Sequence, residues 1–241
     1  MRAYQPVLNS LSKNVIQAEY AVRGQIPIRG EEIQRKIQKE GNKTKFEFEQ
    51  TTALNIGNPQ KVGQGVITFN REVIAGMCYK PLTEMGVLSA DALNRIQALS
   101  EGCHSPTGAY TGNSKGWQYV RQSVADFINR RDGVADANPD NIYLTNGASE
   151  AVRTCFQALI RNSNDGILIP IPQYPLYSAL LTLGGGELLP YYLDESKNWG
   201  LNVEGLHELV DRAKLDGFTP RAIVVINPGN PTGQVMSRED L

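Results

Sequence analysis

The run Ala222-Ile223-Val224-Val225-Ile226 constrains this chain more than any other segment. It is unbroken, apolar and largely β-branched, and Asn227-Pro228-Gly229-Asn230-Pro231-Thr232-Gly233 follows it at once. Such a run, closed by Pro and Gly, reads as a fully buried strand of a parallel sheet. Open α/β sheets bind their ligands at the carboxyl ends of such strands. Two Asn-Pro steps at that point fix backbone angles and aim a polar amide at the crevice, which makes Asn230 a candidate ligand contact. The sharp exit from a buried strand predicts a cis Asn230–Pro231 bond.

The second half of the chain repeats this logic. Strands are expected over 142–145, 166–171 and 187–193, with helices over 150–161, 176–183 and 203–214. Alternating strand and helix with short links implies a parallel sheet covered by helices on both faces. Gly184-Gly185-Gly186 follows a helical pattern and not a strand, so it reads as a helix stop and not as a phosphate loop. Earlier, Ile33 and Ile37 suggest a short helix, 47–56 reads as extended, and Gly57-Asn58-Pro59 closes it as a turn. One-sided apolar stripes predict helices over 91–100 and 117–130.

Composition narrows the partners. The chain has 241 residues and a formal net charge of −1, which gives no electrostatic reason to expect nucleic acid or an anionic membrane. No apolar run is long enough to span a bilayer. Cys78, Cys103 and Cys155 form no CxxC or CxxH spacing, and His104 and His207 no ligand spacing, so neither a metal site nor a disulfide framework is expected. The chain reads as intracellular and cytoplasmic, with the mitochondrion as the alternative compartment. Met1 to Asn14 reads as a surface arm.

Three further stretches carry chemistry. Asn146-Gly147-Ala148-Ser149-Glu150 joins an expected strand to an expected helix. Small residues there let backbone amides reach an anion, the helix adds the positive end of its dipole, and Ser149 adds a hydroxyl. An ordinary helix cap reads the same way. Pro170-Ile171-Pro172-Gln173-Tyr174-Pro175 is stiffened by three prolines and holds Tyr174 at another strand end, where a fixed aromatic suits stacking on a flat heteroaromatic ring. Gly108-Ala109-Tyr110-Thr111 and Leu54-Asn55-Ile56-Gly57-Asn58-Pro59 are the remaining candidate loops.

Asn230-Pro231-Thr232-Gly233 resembles the Asn-Pro-Thr-Gly signature of the fold-type-I aminotransferases, which use pyridoxal 5'-phosphate (PLP). Four longer stretches resemble the alanine aminotransferases among them: Ala18 to Gly24, Ile169 to Ser178, Tyr192 to Glu195 and Val225 to Gln234. The resemblance implies an N-terminal arm and part of a small domain in residues 1–100, and the first part of a PLP-binding large domain in 101–241. It implies that Ala148 and Ser149 hold the PLP phosphate, that Tyr174 lies against the pyridine ring, and that Asn230 hydrogen-bonds the phenolic 3'-oxygen. Tyr110 would reach the phosphate of the neighbouring subunit in a homodimer, and the backbone of Gly57 would lie near the substrate carboxylate. The implied reaction exchanges an amino group between L-alanine and 2-oxoglutarate, giving pyruvate and L-glutamate.

One departure matters. The family's catalytic lysine follows the Asn-Pro-Thr-Gly motif in chain order, and no lysine follows Lys214 here. Lys115 lies near a site motif, but its Gly-rich surroundings do not match. The resemblance therefore implies that this sequence is about half of a family member, with no catalytic residue of its own and no turnover alone. Two alternatives stay open. One is a PLP lyase of the aminocyclopropane-carboxylate synthase type, and the other is a non-catalytic protein that keeps half the fold.

Overall fold

The computed structural model describes residues 10–41, 45–104, 107–133 and 136–238. The beginning of the expected arm, residues 1–9, lies outside them. In chain order the helices are α1 (Lys13–Gln17), α2 (Gln25–Glu40), α3 (Thr68–Cys78), α4 (Ala90–Cys103), α5 (Gln118–Asp132), α6 (Ala148–Leu159), α7 (Leu176–Gly184) and α8 (Val203–Leu215). The strands are β1 (Asp165–Ile171), β2 (Glu187–Tyr192) and β3 (Thr219–Ile223). The chain forms two compact units, one of residues 1–57 with 148–241 and one of 58–147. Their boundaries do not coincide with residue 100, where the sequence divides the expected domains.

The first unit is built on β1. Its sequence, Asp-Gly-Ile-Leu-Ile-Pro-Ile, is buried from Asp165 through Pro170. A strand buried on both faces needs near-continuous apolar residues, because alternate side chains enter different cores. Ile167 and Ile169 pack with Phe156 of α6 and Leu181 of α7. Leu168 turns the other way, to Leu189 and Tyr191 of β2 and Ala213 of α8. The sheet is parallel throughout, in the order β2-β1-β3. Travel from β1 to β2 is reversed from β2 to β3, and the two connecting helices cover opposite faces, as uniformly right-handed crossovers require. The fold class read from the sequence is thus the one observed.

The amino end of β1 carries a buried charge. Asp165 is fully buried, and its carboxylate accepts from Arg161 through Nε (2.9 Å), Nη2 (2.8 Å) and the backbone N–H (2.8 Å). Between Gly166 and Ile167 the register with β3 shifts, leaving Arg221 as the extra residue, and Arg221 Nε lies 3.9 Å from Asp165 Oδ1. A buried carboxylate needs this pairing, since without it desolvation disfavours the charged form.

Two expected strands differ. The last strand begins at Thr219 and ends at Ile223, so it covers only the start of the apolar run, and its residues alternate between exposed and half-buried. It is not buried on both faces because, among the described residues, it pairs with β1 alone. Beyond it, Val224 N–H still donates to Leu168 O at 2.9 Å, and Val225 is half exposed. Residues 142–145 form no strand; Leu144 N–H donates to Lys115 O at 2.8 Å. The glycine stop is realised as expected. Gly185 has φ +73°, its N–H donates to Thr182 O, and Gly186 N–H donates to Leu181 O, closing α7 with a left-handed residue that only Gly adopts without cost.

The unit of residues 58–147 packs α3 on α4 and α4 on α5. The sequence gives no clear signal for α3, since Val73, Ile74 and Gly76 all weaken a helical reading. Gly76 is needed for the packing, because a Cβ there would run into the Ile96 side chain of α4. Arg121 of α5 is fully buried and donates to Gly116 O (3.1 Å), Pro139 O (2.5 Å) and Asp140 Oδ1 (3.2 Å), and also to Gln118. Among the described residues no helix is long and apolar enough to cross a membrane.

The Asp165 cluster yields a pH prediction. The hydrogen bonds from Arg161 hold its carboxyl well below the usual carboxylate range, and Arg221 lowers it further. A folded pKa below the unfolded value of about 3.9 adds stability that is present above that value and lost as pH falls below it. Thermal melts should therefore show Tm dropping as the pH is lowered through about 4. Asp165→Asn should melt lower at neutral pH and lose part of that acid dependence.

Candidate functional site

Two of the candidate loops of the first unit follow directly from strands of its sheet. β1 leads directly into Pro172-Gln173-Tyr174-Pro175, and β3 leads through Val224 to Ile226 into the Asn227 to Gln234 loop. α6 runs back along β1, packing through Val152 and Phe156, and enters the strand's amino end through Arg161 to Asn164. Its own first residues, Ala148 and Ser149, therefore lie toward the carboxyl end of β1. As the opening of a helix, their backbone N–H groups have no acceptor within it. Both residues are exposed.

The Asn230 loop is held by its own backbone and by one distant contact. Gly229 N–H donates to Gln234 O at 2.8 Å, and Gly233 N–H donates to Gly229 O at 2.7 Å. Met236 N–H donates to Asn227 Oδ1 at 3.1 Å. Gln234 Nε2 donates to Trp199 O, which ties the loop to the turn that follows β2. A Cβ at Gly229 would meet the Thr232 hydroxyl, which would have to turn aside. Asn230–Pro231 is cis, as are Asn227–Pro228 and Ile171–Pro172. With the loop folded this way the Asn230 side chain is left exposed.

Asn230 lines a small cavity together with Pro170, Pro172, Tyr191, Leu193 and Gly229. Its volume is about 20 Å³, close to the room of one water. Tyr174, Ala148 and Ser149 are not among its walls. This cavity is therefore not a space shared by Asn230 with those three residues. Tyr191 lines the cavity and donates to Val224 O at 2.6 Å; burial pushes its phenol up to about 12, so it stays a neutral donor.

Tyr174 is half-buried, its ring set edge-on against Tyr177 (6.1 Å, 88°) and Tyr20 (6.3 Å, 70°). Its hydroxyl lies 2.7 Å from that of Tyr20. Sequence reasoning gave Tyr20 no role of its own, and no local signal could, because the two tyrosines are 154 residues apart. Gly57 is exposed, and a Cβ there would meet nothing within 4 Å, so no packing demands the glycine. Asn55 Nδ2 donates to Val22 O at 2.8 Å and fixes that loop to the segment after Tyr20. Tyr110 belongs to the other unit and is fully exposed. Lys115, also there, donates to Asp140 O at 2.7 Å and sits over the Tyr143 ring.

A parallel sheet with helices on both faces and polar loops at its carboxyl edge defines the class as an α/β protein. Residues 91–241 match the family described as aminotransferase class I and II. The chain is 46% identical to alanine aminotransferase 2 of Panicum miliaceum over 239 residues, covering 97% of this chain and 48% of that protein. It is 45% identical to glutamate–glyoxylate aminotransferase 1 of Arabidopsis thaliana over 238 residues, covering 97% of this chain and 47% of that one. Among solved structures, an aminotransferase from Escherichia coli aligns with a TM-score of 0.65 at 30% identity, covering 96% of this chain and 46% of that chain. The chain belongs to the class I and II aminotransferase family and has the fold-type-I architecture. It spans about half the length of the curated relatives it matches.

The Gln234 contact can be tested without a ligand. Gln234→Ala removes the bond to Trp199 O while sparing the backbone bonds of the loop. The Gly229 and Gly233 amides should then exchange with solvent about fivefold faster, the equivalent of roughly 1 kcal/mol for one hydrogen bond. Hydrogen exchange followed by NMR or mass spectrometry measures this, with the amides of β1 unchanged as the internal control.

Proposed function

We propose that this chain carries the cofactor-holding part of a PLP-dependent aminotransferase that moves an amino group between L-alanine and 2-oxoglutarate. What supports this most is that the Tyr174 and Asn230 loops leave the carboxyl end of one parallel sheet, and that α6, running back along β1, opens toward that end. The donor set fits PLP chemically. Free N–H groups and the Ser149 hydroxyl at a helix opening suit a phosphate. Tyr174 offers an aromatic face, and Asn230 offers a neutral amide that favours the ionised phenolic oxygen. Bound, the cofactor supplies an electron sink for removal of the substrate's α-proton.

In this reading Ala148 and Ser149 hold the phosphate, Tyr174 orients the ring, and Asn230 donates to the 3'-oxygen. Gly57 presents its backbone near the substrate carboxylate, and Tyr110 reaches the phosphate of a neighbouring subunit in a homodimer. Residues 1–100 then belong to the arm and small domain, and 101–241 open the large domain. The relatives' names cover alanine and the glutamate–glyoxylate pair, which supports a small amino acid and a 2-oxo acid as substrates. Alanine is favoured here on the four resembling stretches, and the cytoplasm as the compartment.

Titration of the 241-residue chain with PLP tests the reading. Binding should be non-covalent, and borohydride reduction with peptide mapping should find no stoichiometric label on any one of its lysines. Ser149→Ala should weaken binding about tenfold, as expected for one charge-assisted hydrogen bond, and Asn230→Ala about fivefold. Equal affinity in wild type and both variants would overturn the assignment of these residues. A stoichiometric label on Lys115 would overturn the view that this stretch holds no catalytic lysine.

A further inference from the structure

We infer that Tyr20 is a positioning residue, its hydroxyl fixing the orientation of Tyr174 at the carboxyl end of β1. The inference rests on the reading of Tyr174 as the aromatic face for PLP. It starts from how the arm is seated. α1 packs against α7, and Asn14 Nδ2 donates to Leu183 O at 3.4 Å, near the end of that helix. This contact carries the following segment along the unit until the Tyr20 hydroxyl lies 2.7 Å from that of Tyr174.

Tyr174 is therefore gripped on two sides in different ways. On the inner side its ring meets Tyr177, edge-on at 6.1 Å, and Tyr177 in turn lies 6.4 Å from Phe156 of α6. Those are apolar contacts, which restrict the ring but leave its hydroxyl free to select among solvent directions. On the outer side Tyr20 supplies both an edge contact at 6.3 Å and a directional hydrogen bond. The hydrogen bond is the one contact in this set that fixes the hydroxyl end. The Tyr20 phenol is pushed above its ordinary value, chiefly by the bond to Tyr174. Either hydroxyl can donate in this pair, and in both senses the bond holds the Tyr174 oxygen at one place. The loop itself is stiff, with Pro172 and Pro175 on either side, so a single polar contact suffices to define the ring.

Tyr20→Phe is the discriminating variant, because it keeps the edge contact and removes only the oxygen. The full chain is compared with Tyr20→Phe, Tyr174→Phe and the double variant. PLP affinity, the induced circular dichroism of bound PLP, the thermal midpoint, and the NMR signals of ring-labelled tyrosine are followed. Tyr20→Phe should weaken PLP about fivefold and reduce the induced dichroism, with little change in thermal midpoint. The double variant should match Tyr174→Phe alone, since a positioning contact has nothing to act on once Tyr174 has lost its hydroxyl. Unchanged affinity and dichroism in Tyr20→Phe overturn the inference, as do fully additive effects. A fall in thermal midpoint with unchanged ligand signals also overturns it, since that marks support of the fold alone. If wild type binds no PLP, the proposed function fails, and the NMR signals decide the contact separately. A Tyr174 ring signal that moves in Tyr20→Phe upholds the positioning, and one that does not move rejects it.

Discussion

Burial of β1 on both faces is the constraint from which the rest of the first unit follows. A strand with cores above and below cannot alternate polar and apolar residues, so Ile167, Leu168 and Ile169 stand in an unbroken row. Each face then needs its own cover. α6 and α7 supply one and α8 the other, and the parallel pairing with β2 and β3 fixes where each helix begins and ends. The chemistry at the two ends of the strand differs for the same reason. The amino end is closed by Asp165, a buried carboxylate tolerated because Arg161 and Arg221 neutralise it. The carboxyl end is where the chain escapes the cores into polar loops, and Tyr174 and Asn230 lie on such loops, with Ala148 and Ser149 at the opening of α6.

Much of this was legible from the sequence because it is local. The apolar row of β1, the strand over Glu187 to Tyr192, and the helices after each strand follow from periodicity and length. The end of α7 follows from a glycine triplet whose left-handed member is demanded by the turn. What was not legible depends on partners distant in sequence. The run from Ala222 to Ile226 looks like a buried strand, yet the ladder starts at Thr219 and stops at Ile223. Pairing with β1 and the shift at Gly166 set its register, and neither is encoded in the run itself. The stretch 142–145 has strand-like residues but a single backbone bond, to Lys115. The helix α3 was hidden by Gly76, a residue that weakens a helix locally and is kept for close approach to Ile96.

The candidate site shows the same division. Asn230, Ser149 and Tyr174 announce themselves through motifs, but the contacts that hold them do not. Tyr191 reaches Val224 O, Gln234 reaches Trp199 O, and Leu193 N–H reaches Ile171 O at 3.0 Å. Each of these joins two segments that leave the sheet at different strands. Together they make the carboxyl edge a set of loops braced against one another, while the groups offered to a ligand remain exposed.

That arrangement has a consequence for how such a site would bind. Affinity for a small rigid ligand is lost when the protein must order its own side chains on binding, and loops braced beforehand avoid much of that cost. Asn230 is braced through its backbone, by the Gly229 and Gly233 bonds and by prolines on either side. Ser149 is braced by a helix that packs its length against β1. Tyr174 has a stiff loop but a side chain with two free torsions, so its bracing must come from neighbours. The tyrosines at 20 and 177 supply it, one through a hydroxyl and one through a ring edge. The segment before residue 57 thus reaches into the same strand ends as the motifs more than a hundred residues later. Its most informative residue, Tyr20, lies in the Ala18 to Gly24 stretch that carries the resemblance, and its contact with Tyr174 spans 154 residues.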